Sequence, residues 1–233
     1  MARVVKEQEH AARRGEILDV AQQLVESRGY EQMSIQDVLD RMQISKGAFY
    51  HYFGSKHALL EALVARRLAE AEQRLLPIVH DPQLPALAKF ERFFATANNW
   101  KLEQKGFVLK LMRVWYADSN ALMRQKVRTA ALSVLAPLFT AIAAQGVAEG
   151  VLNAAYPEQV GMVMLSLSHD FGDILAVQML AHEPAPAKAE RMAQIIAVYA
   201  DAIERVLGAP PGSITVTDAA TLRAWADATE AEF

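Results

Sequence analysis

The chain has no cysteine, no glycine-rich phosphate loop and no excess of basic charge. Each absence removes a class of protein. Without cysteine there is no disulfide scaffold, cysteine-ligated zinc, iron–sulfur cluster or thiol nucleophile. Without a glycine-rich loop there is no backbone cradle for a nucleotide phosphate. Across 233 residues, 24 Lys+Arg face 27 Asp+Glu, a formal net charge of −3. The bulk basicity that ordinarily marks a nucleic-acid-binding protein is therefore missing. Strand-like alternation, internal repeats and low-complexity tracts are missing as well.

What is present is a composition of a folded chain: 52% hydrophobic residues and 22% charged. That is enough apolar surface for a core, and disorder is excluded. The length suits one large domain or two modest ones. The opening MARVVKEQEHAARRGE is polar and charged, without the apolar stretch of a secretory signal. The most apolar run, Val160 to Leu180, is long enough to span a bilayer but carries His169, Asp170 and Asp173 near its middle. One Asp at the centre of a spanning helix costs about 2.5–3.5 kcal/mol on insertion scales. The run is expected to be a buried helix, in a cytoplasmic protein with no membrane partner.

Helical spacing runs through the whole chain, and the fold class it predicts is all-α. Ile17, Ala21, Leu24 and Val25 recur at i, i+4, i+7, i+8; Ile35, Val38, Leu39 and Met42 at i, i+3, i+4, i+7. A longer helix is expected over 55–76, ended by Pro77, Pro82 and Pro85. Phe90, Phe93, Phe94, Ala97 and Trp100 line one later face, and Phe107, Leu111, Met112 and Trp115 the next. A helix over 120–146 contains Pro137 and is closed by Gly146 and Gly150. Helices over 156–181 and 187–207 follow. Thr217 or Asp218 is placed to cap a last helix over 218–231. The division expected from this pattern is a flexible arm (1–11), a small helical domain (12–76), a second helical domain (77–208), and a linker with a C-terminal helix (209–233).

The informative segment is Met33 to Leu60, MSIQDVLDRMQISKGAFYHYFGSKHALL. Ser34 caps one short helix ending near Met42. Ser45 caps another ending near Phe53. With only Gln43 and Ile44 clearly between them, the two helices must cross steeply, which is helix-turn-helix geometry. The second helix would then enter the DNA major groove with its N-terminal residues toward base edges. Between Arg41 and Leu60 there is no acidic residue, and Arg41, Lys46 and Lys56 give a local charge of +3. Ser45 and Ser55 each open a helix, whose free N–H groups favour a phosphate. Gly47, lacking Cβ, permits close approach to the DNA backbone.

At these residues the sequence resembles the TetR family of transcriptional regulators. The shared pattern is a capped helix, a short turn, and then Ser45, Gly47, Tyr50, Tyr52, Phe53, Lys56 and Leu59 at fixed spacing. It covers roughly residues 12–72 (the remainder agrees only in being helical). Met42-Gln43-Ile44 stands where the family usually has Ala-Gly-Val, so Gln43 occupies a turn position that favours glycine. The resemblance implies a DNA-binding surface of Ser34, Ser45, Lys46, Gly47, Ala48, Tyr50, His51 and Lys56, with Ser45, Lys46 and Ala48 toward bases. Val38, Ile44, Phe49 and Phe53 should be core.

The resemblance also implies a homodimer on a palindromic double-stranded DNA operator, released by a small-molecule effector, with no enzyme activity, no cofactor and no metal. Asn99, Trp100, Met112, Trp115, Phe139, His169, Asp170 and Asp173 are the effector-binding candidates. The two Asp residues favour a cationic or hydroxylated effector. Leu167, Phe171, Leu175, Ile195, Ile196, Tyr199 and Ile203 are the dimer-interface candidates, because a helix apolar nearly all round must be buried somewhere. Two competing classes remain at this stage. One is a helical hydrolase using His169, Asp170 and Asp173, of which His169 and Asp173 share a face at i, i+4. The other is a small-molecule-sequestering protein without DNA binding.

Overall fold

The computed structural model describes residues 2–116 and 121–232. Met1, position 120 of the expected long helix, and Phe233 lie outside the described residues. Ten α-helices follow in order: α1 (Ala2–Arg28), α2 (Ile35–Met42), α3 (Lys46–Tyr52), α4 (Lys56–His80), α5 (Ala86–Glu103), α6 (Lys105–Trp115), α7 (Ala121–Ala148), α8 (Val160–Leu180), α9 (Ala185–Leu207) and α10 (Ala219–Glu232). No strand occurs among the described residues.

Three sequence expectations about helix ends shift. Residues 2–11, expected as a flexible arm, are helical and continuous with α1. Pro77 does not end α4, which runs on to His80. An internal proline costs a helix about 3 kcal/mol. Leu75 and Val79, on either side of it, are buried in the core, and burial contributes about 1.5–3 kcal/mol for each such side chain. Continuing the helix therefore wins. Gly146 likewise lies inside α7, and Gly150, with φ 73°, follows the helix end.

The chain packs as two compact units. The first comprises residues 1–67 and 106–127, and the second 68–105 and 128–233. The first segment thus ends nine residues before the expected boundary, 76 − 67 = 9, and α6 belongs to the first unit. The physical reason is a shared core. Phe107 is buried among Ile17, Leu24, Val38, Phe49, Leu59, Leu60 and Leu63, and Leu111, Trp115 and Val127 pack against that cluster.

In the second unit Phe90, Phe93 and Phe94 of α5 gather round Phe139 of α7, whose ring lies 4.5 Å from that of Phe93. α8 and α9, joined by residues 181–184, pack along each other. α8 meets α7 at Gly161, where an added Cβ would lie 1.9 Å from the Ala136 carbonyl oxygen. The segment after α9 contributes Ile214 and Val216 to this core, with Ala209 packed against it. Ile214 and Val216 are buried, and Asn98 Nδ2 donates to the Val216 carbonyl at 2.7 Å. The buried Glu204 carboxylate accepts the Gly212 and Ile214 N–H groups at 2.9 and 3.0 Å. The buried Lys188 ammonium donates to Met179 O and to Thr229 Oγ1 of α10.

Candidate nucleic-acid interface

The first unit holds α2 and α3 at a tight turn. Ser34 Oγ accepts the Asp37 N–H at 3.1 Å, and the Asp37 carboxylate accepts the Ser34 N–H at 2.7 Å. This reciprocal capping box fixes the start of α2. Its hydrogen bonds to Ser34, with help from Arg28 at 2.8 Å, hold the Asp37 carboxyl below its ordinary pKa. The helix ends at Gln43 in the left-handed region, φ 54° and ψ 43°, with Gln43 Nε2 donating to Asp40 O at 2.7 Å. Gln43 is the one positive-φ residue other than glycine among the described residues. Ser45 then caps α3 by accepting the Ala48 N–H at 3.2 Å.

The turn aims α3 by one buried anchor. Phe49 is fully buried and sits 5.9 Å ring to ring from Phe53. Val38, Phe49 and Phe53 are core as expected, while Ile44 is half-buried at its edge. Burying Phe49 leaves Ser45, Lys46, Gly47, Tyr50 and His51 exposed on the other side, and Ala48 half-exposed. Lys46 Nζ lies 6.0 Å from the centre of the Tyr50 ring. Ser34, on the same unit, is also exposed. One stripe therefore presents a cation, hydroxyl and imidazole donors, and a Cβ-free backbone position.

Lys56 is placed differently from this stripe. Its ammonium stands over the Tyr30 ring at 4.3 Å and donates to Glu31 O at 3.2 Å. Tyr30 in turn donates to the Lys56 carbonyl at 3.3 Å. Burial lowers the Lys56 pKa, countered in part by Glu31 and Asp37. The side chain thus fastens the start of α4 to the turn before α2. A residue that the sequence reading overlooked is His10. Its ring lies 4.7 Å from Tyr52 and 5.4 Å from His51, so α1 braces the end of α3. The signal was out of reach, since nothing in local spacing connects position 10 with position 51. Arg14 stands over the Phe53 ring at 4.9 Å, and Arg13 pairs with Glu16.

The effector-domain candidates fall in both units. Met112 and Trp115 belong to the first unit, whereas Asn99, Trp100, Phe139, His169, Asp170 and Asp173 belong to the second. Phe139 is buried in the phenylalanine cluster. Asn99 is exposed, and Trp100 is half-buried beside Arg74. Asp170 pairs with Arg128 at 2.7 Å. His169 is half-buried, and burial, Arg128 and Lys101 together lower its pKa against the opposing pull of Asp173 and Asp170. Among the described residues no three His, Asp or Glu side chains form a group able to hold a metal, and no observation favours the hydrolase reading.

Of the dimer candidates, Tyr199 and Ile203 turn into their own chain's core. Leu167, Phe171, Leu175, Ile195 and Ile196 are half-buried. The exposed large apolar side chains of this region are others: Met162, Val163, Ile174 and Val177 of α8, and Val198 of α9. Period alone could not separate them, because α8 is apolar on every side.

Residues 17–63 match the family model described as bacterial regulatory proteins, tetR family, and residues 102–183 match the tetracyclin repressor-like C-terminal domain. The regulator EthR of Mycolicibacterium smegmatis is 30% identical over 180 residues, covering 67% of this chain and 83% of EthR. An uncharacterised regulator, YuxN of Bacillus subtilis, is 31% identical over 50% of this chain and 40% of its own length. The repressor NemR of Escherichia coli is 36% identical over 32% of this chain and 37% of its own. The chain thus spans about two fifths of the length of the latter two. A TetR-family regulator from Pectobacterium atrosepticum shares the fold with TM-score 0.65 at 20% identity, over 87% of this chain and 98% of that one. Reduced NemR does so with TM-score 0.57 at 22%, over 85% and 98%. The capped helix-turn-helix, the helical second unit and these likenesses agree: the chain belongs to the TetR family of bacterial regulatory proteins.

Proposed function

We propose that the chain is a ligand-responsive, sequence-specific DNA-binding transcriptional regulator. In this reading it is a repressor that binds a palindromic operator as a homodimer. The observation that carries the reading is the exposed stripe of α3, Ser45, Lys46, Gly47, Tyr50 and His51, held outward by buried Phe49. Phosphate contacts position such a helix, and base contacts near its N-terminus specify the site. Ser45, Lys46 and Ala48 lie toward the bases, and Lys46, Tyr50 and His51 contact phosphates. Lys56 acts by holding the frame of the motif. The second unit binds a small-molecule effector that favours a dimer spacing unable to fit the operator, which is coupling through differential affinity for two states.

Footprinting of the full chain on genomic fragments tests this. The expected result is a protected palindrome whose half-site centres lie about 34–36 Å apart, or a multiple of that. Lys46→Ala should lower the slope of log affinity against log salt by about 0.9. No protected site, or an unchanged slope, overturns the reading.

A further inference from the structure

α1 begins well before the core it serves. Ile17 is the first buried side chain among those described, and residues 8–16 are exposed or half-buried. Burial in the core therefore does not hold this part of the helix. What it touches is α3. The His10 ring lies 5.4 Å from that of His51, edge to face. One turn on, Arg14 stands over Phe53 at 4.9 Å, and positions 10 and 14 share a helix face. His10 and His51 are both exposed, so their contact carries the stripe of α3 onto a second element. Residues 1–14 have the charge for such a role, with Arg3, Lys6, Arg13 and Arg14 against Glu7 and Glu9.

Two adjacent imidazoles make a particular kind of anion site. A neutral ring has one N–H donor and one acceptor nitrogen, whereas a protonated ring has two donors and a charge. Imidazoles exchange these forms between about pH 5 and 8. Two protonated rings side by side repel each other. An anion that reaches both removes the repulsion through charge-assisted hydrogen bonds. The titratable and charged groups around the pair leave that place open. Tyr52 meets both rings, 4.7 Å from His10 and 5.1 Å from His51. Arg14 is engaged with Phe53, Arg13 with Glu16, and Lys46 lies beside Tyr50. Glu9 is exposed, and among the described residues no carboxylate bonds to either ring.

We propose that His10 and His51 together hold one DNA phosphate, so that DNA binding takes up protons and tightens as pH falls. The proposal rests on the reading of α3 as the helix that enters DNA. His10 is then a contact residue as well as a brace for α3. The charged form of each ring is favoured while the phosphate is bound, so the extra affinity is present at low pH and is lost as pH rises.

Fluorescence anisotropy of the full chain on a labelled random-sequence duplex tests this, over a range of salt at about pH 6 and about pH 8. The wild type should bind about tenfold or more tightly at the lower pH. His10→Ala and His51→Ala should each remove most of that gain. Each should also lower the low-pH slope of log affinity against log salt by about 0.9. The double variant should lower it no further, since both rings serve one phosphate. His10→Arg, charged throughout, should bind more tightly than the wild type at the higher pH. Three results overturn the proposal. One is a wild-type affinity that does not change with pH. Another is a His10→Ala loss equal at both pH values, which leaves only the brace. The third is a slope loss in the double variant equal to the sum of the two single losses. Lys46→Ala separates this proposal from the reading beneath it. If Lys46→Ala lowers the salt slope and His10→Ala does not, only the proposal fails; if neither lowers it, the DNA-binding reading fails too.

Discussion

Gln43 shows how one side chain carries a constraint that local rules assign to another. A non-glycine residue in the left-handed region costs about 1–2 kcal/mol. Gln43 recovers part of that cost through its amide, which caps α2 at Asp40 O. The turn therefore survives without glycine, and the connection between α2 and α3 keeps the length that the motif requires. A β-branched residue has neither the amide nor tolerance for φ 54°. Gln43→Val is expected to destabilise the chain by about 1–3 kcal/mol, measured by urea denaturation. A variant as stable as the parent would show that the turn is not strained.

Two tyrosines act at the same scale. Burial pushes Tyr30 and Tyr199 up to about 12 from the ordinary 10.0, with Tyr199 also hydrogen-bonded to Ser168. The unfolded chain releases these protons near pH 10, and the folded chain holds them until about pH 12. Stability from these groups is therefore fully present below pH 10 and is lost as pH rises toward 12. Spectrophotometric titration should show two of the six tyrosines ionising late, together with unfolding. Six phenols titrating together near pH 10 would refute their burial.

At the scale of elements, the C-terminal segment is joined to the second unit by buried polar contacts. Glu204 accepts two backbone N–H groups from residues 212 and 214, and Lys188 bridges α8 and α10. Removing an acceptor leaves a buried donor with the full desolvation penalty, about 1–3 kcal/mol for each group. Glu204→Leu should therefore cost about 2 kcal/mol or more and expose residues 209–218 to limited proteolysis. Unchanged protection of that segment would mean that the Glu204 contacts do not hold it. Such contacts are invisible in sequence. Lys188, Glu204 and Thr229 are separated by many residues and carry no recognisable motif. Ser34, Asp37 and Ser45, by contrast, lie within a few residues of the helix ends they cap and could be read directly.

At the scale of the molecule, Met162, Val163, Ile174, Val177 and Val198 form the exposed apolar surface of α8 and α9. On the proposed reading these are the side chains that a second copy covers. Ile174→Asp combined with Val198→Asp should convert a dimer to a folded monomer in sedimentation velocity and weaken operator binding. Tyr199→Phe, inside the core, should leave the assembly intact. A wild-type monomer at micromolar concentration would remove the interface. The net charge of −3 acts at this scale too. It sets weak non-specific attraction to DNA and shifts the burden to placed contacts and to two copies of α3. Charge of one sign is local here: +3 over Arg41–Leu60, while residues 1–60 hold 8 basic and 8 acidic groups.

The sequence by itself determined the all-α class, the order of the helices and the helix-turn-helix. These depend on spacing, caps and turn residues within a few positions of one another. The exposed stripe on α3 followed from the same local pattern once Phe49 was read as its anchor. The tertiary structure alone decided the rest. It gave α6 to the first unit through Phe107, turned Lys56 onto Tyr30, braced α3 with His10, and sent Tyr199 and Ile203 inward while Val177 and Val198 stayed out. The reason is the same in each case: which of several equally apolar or charged faces is buried depends on distant elements, and periodicity does not encode distant packing.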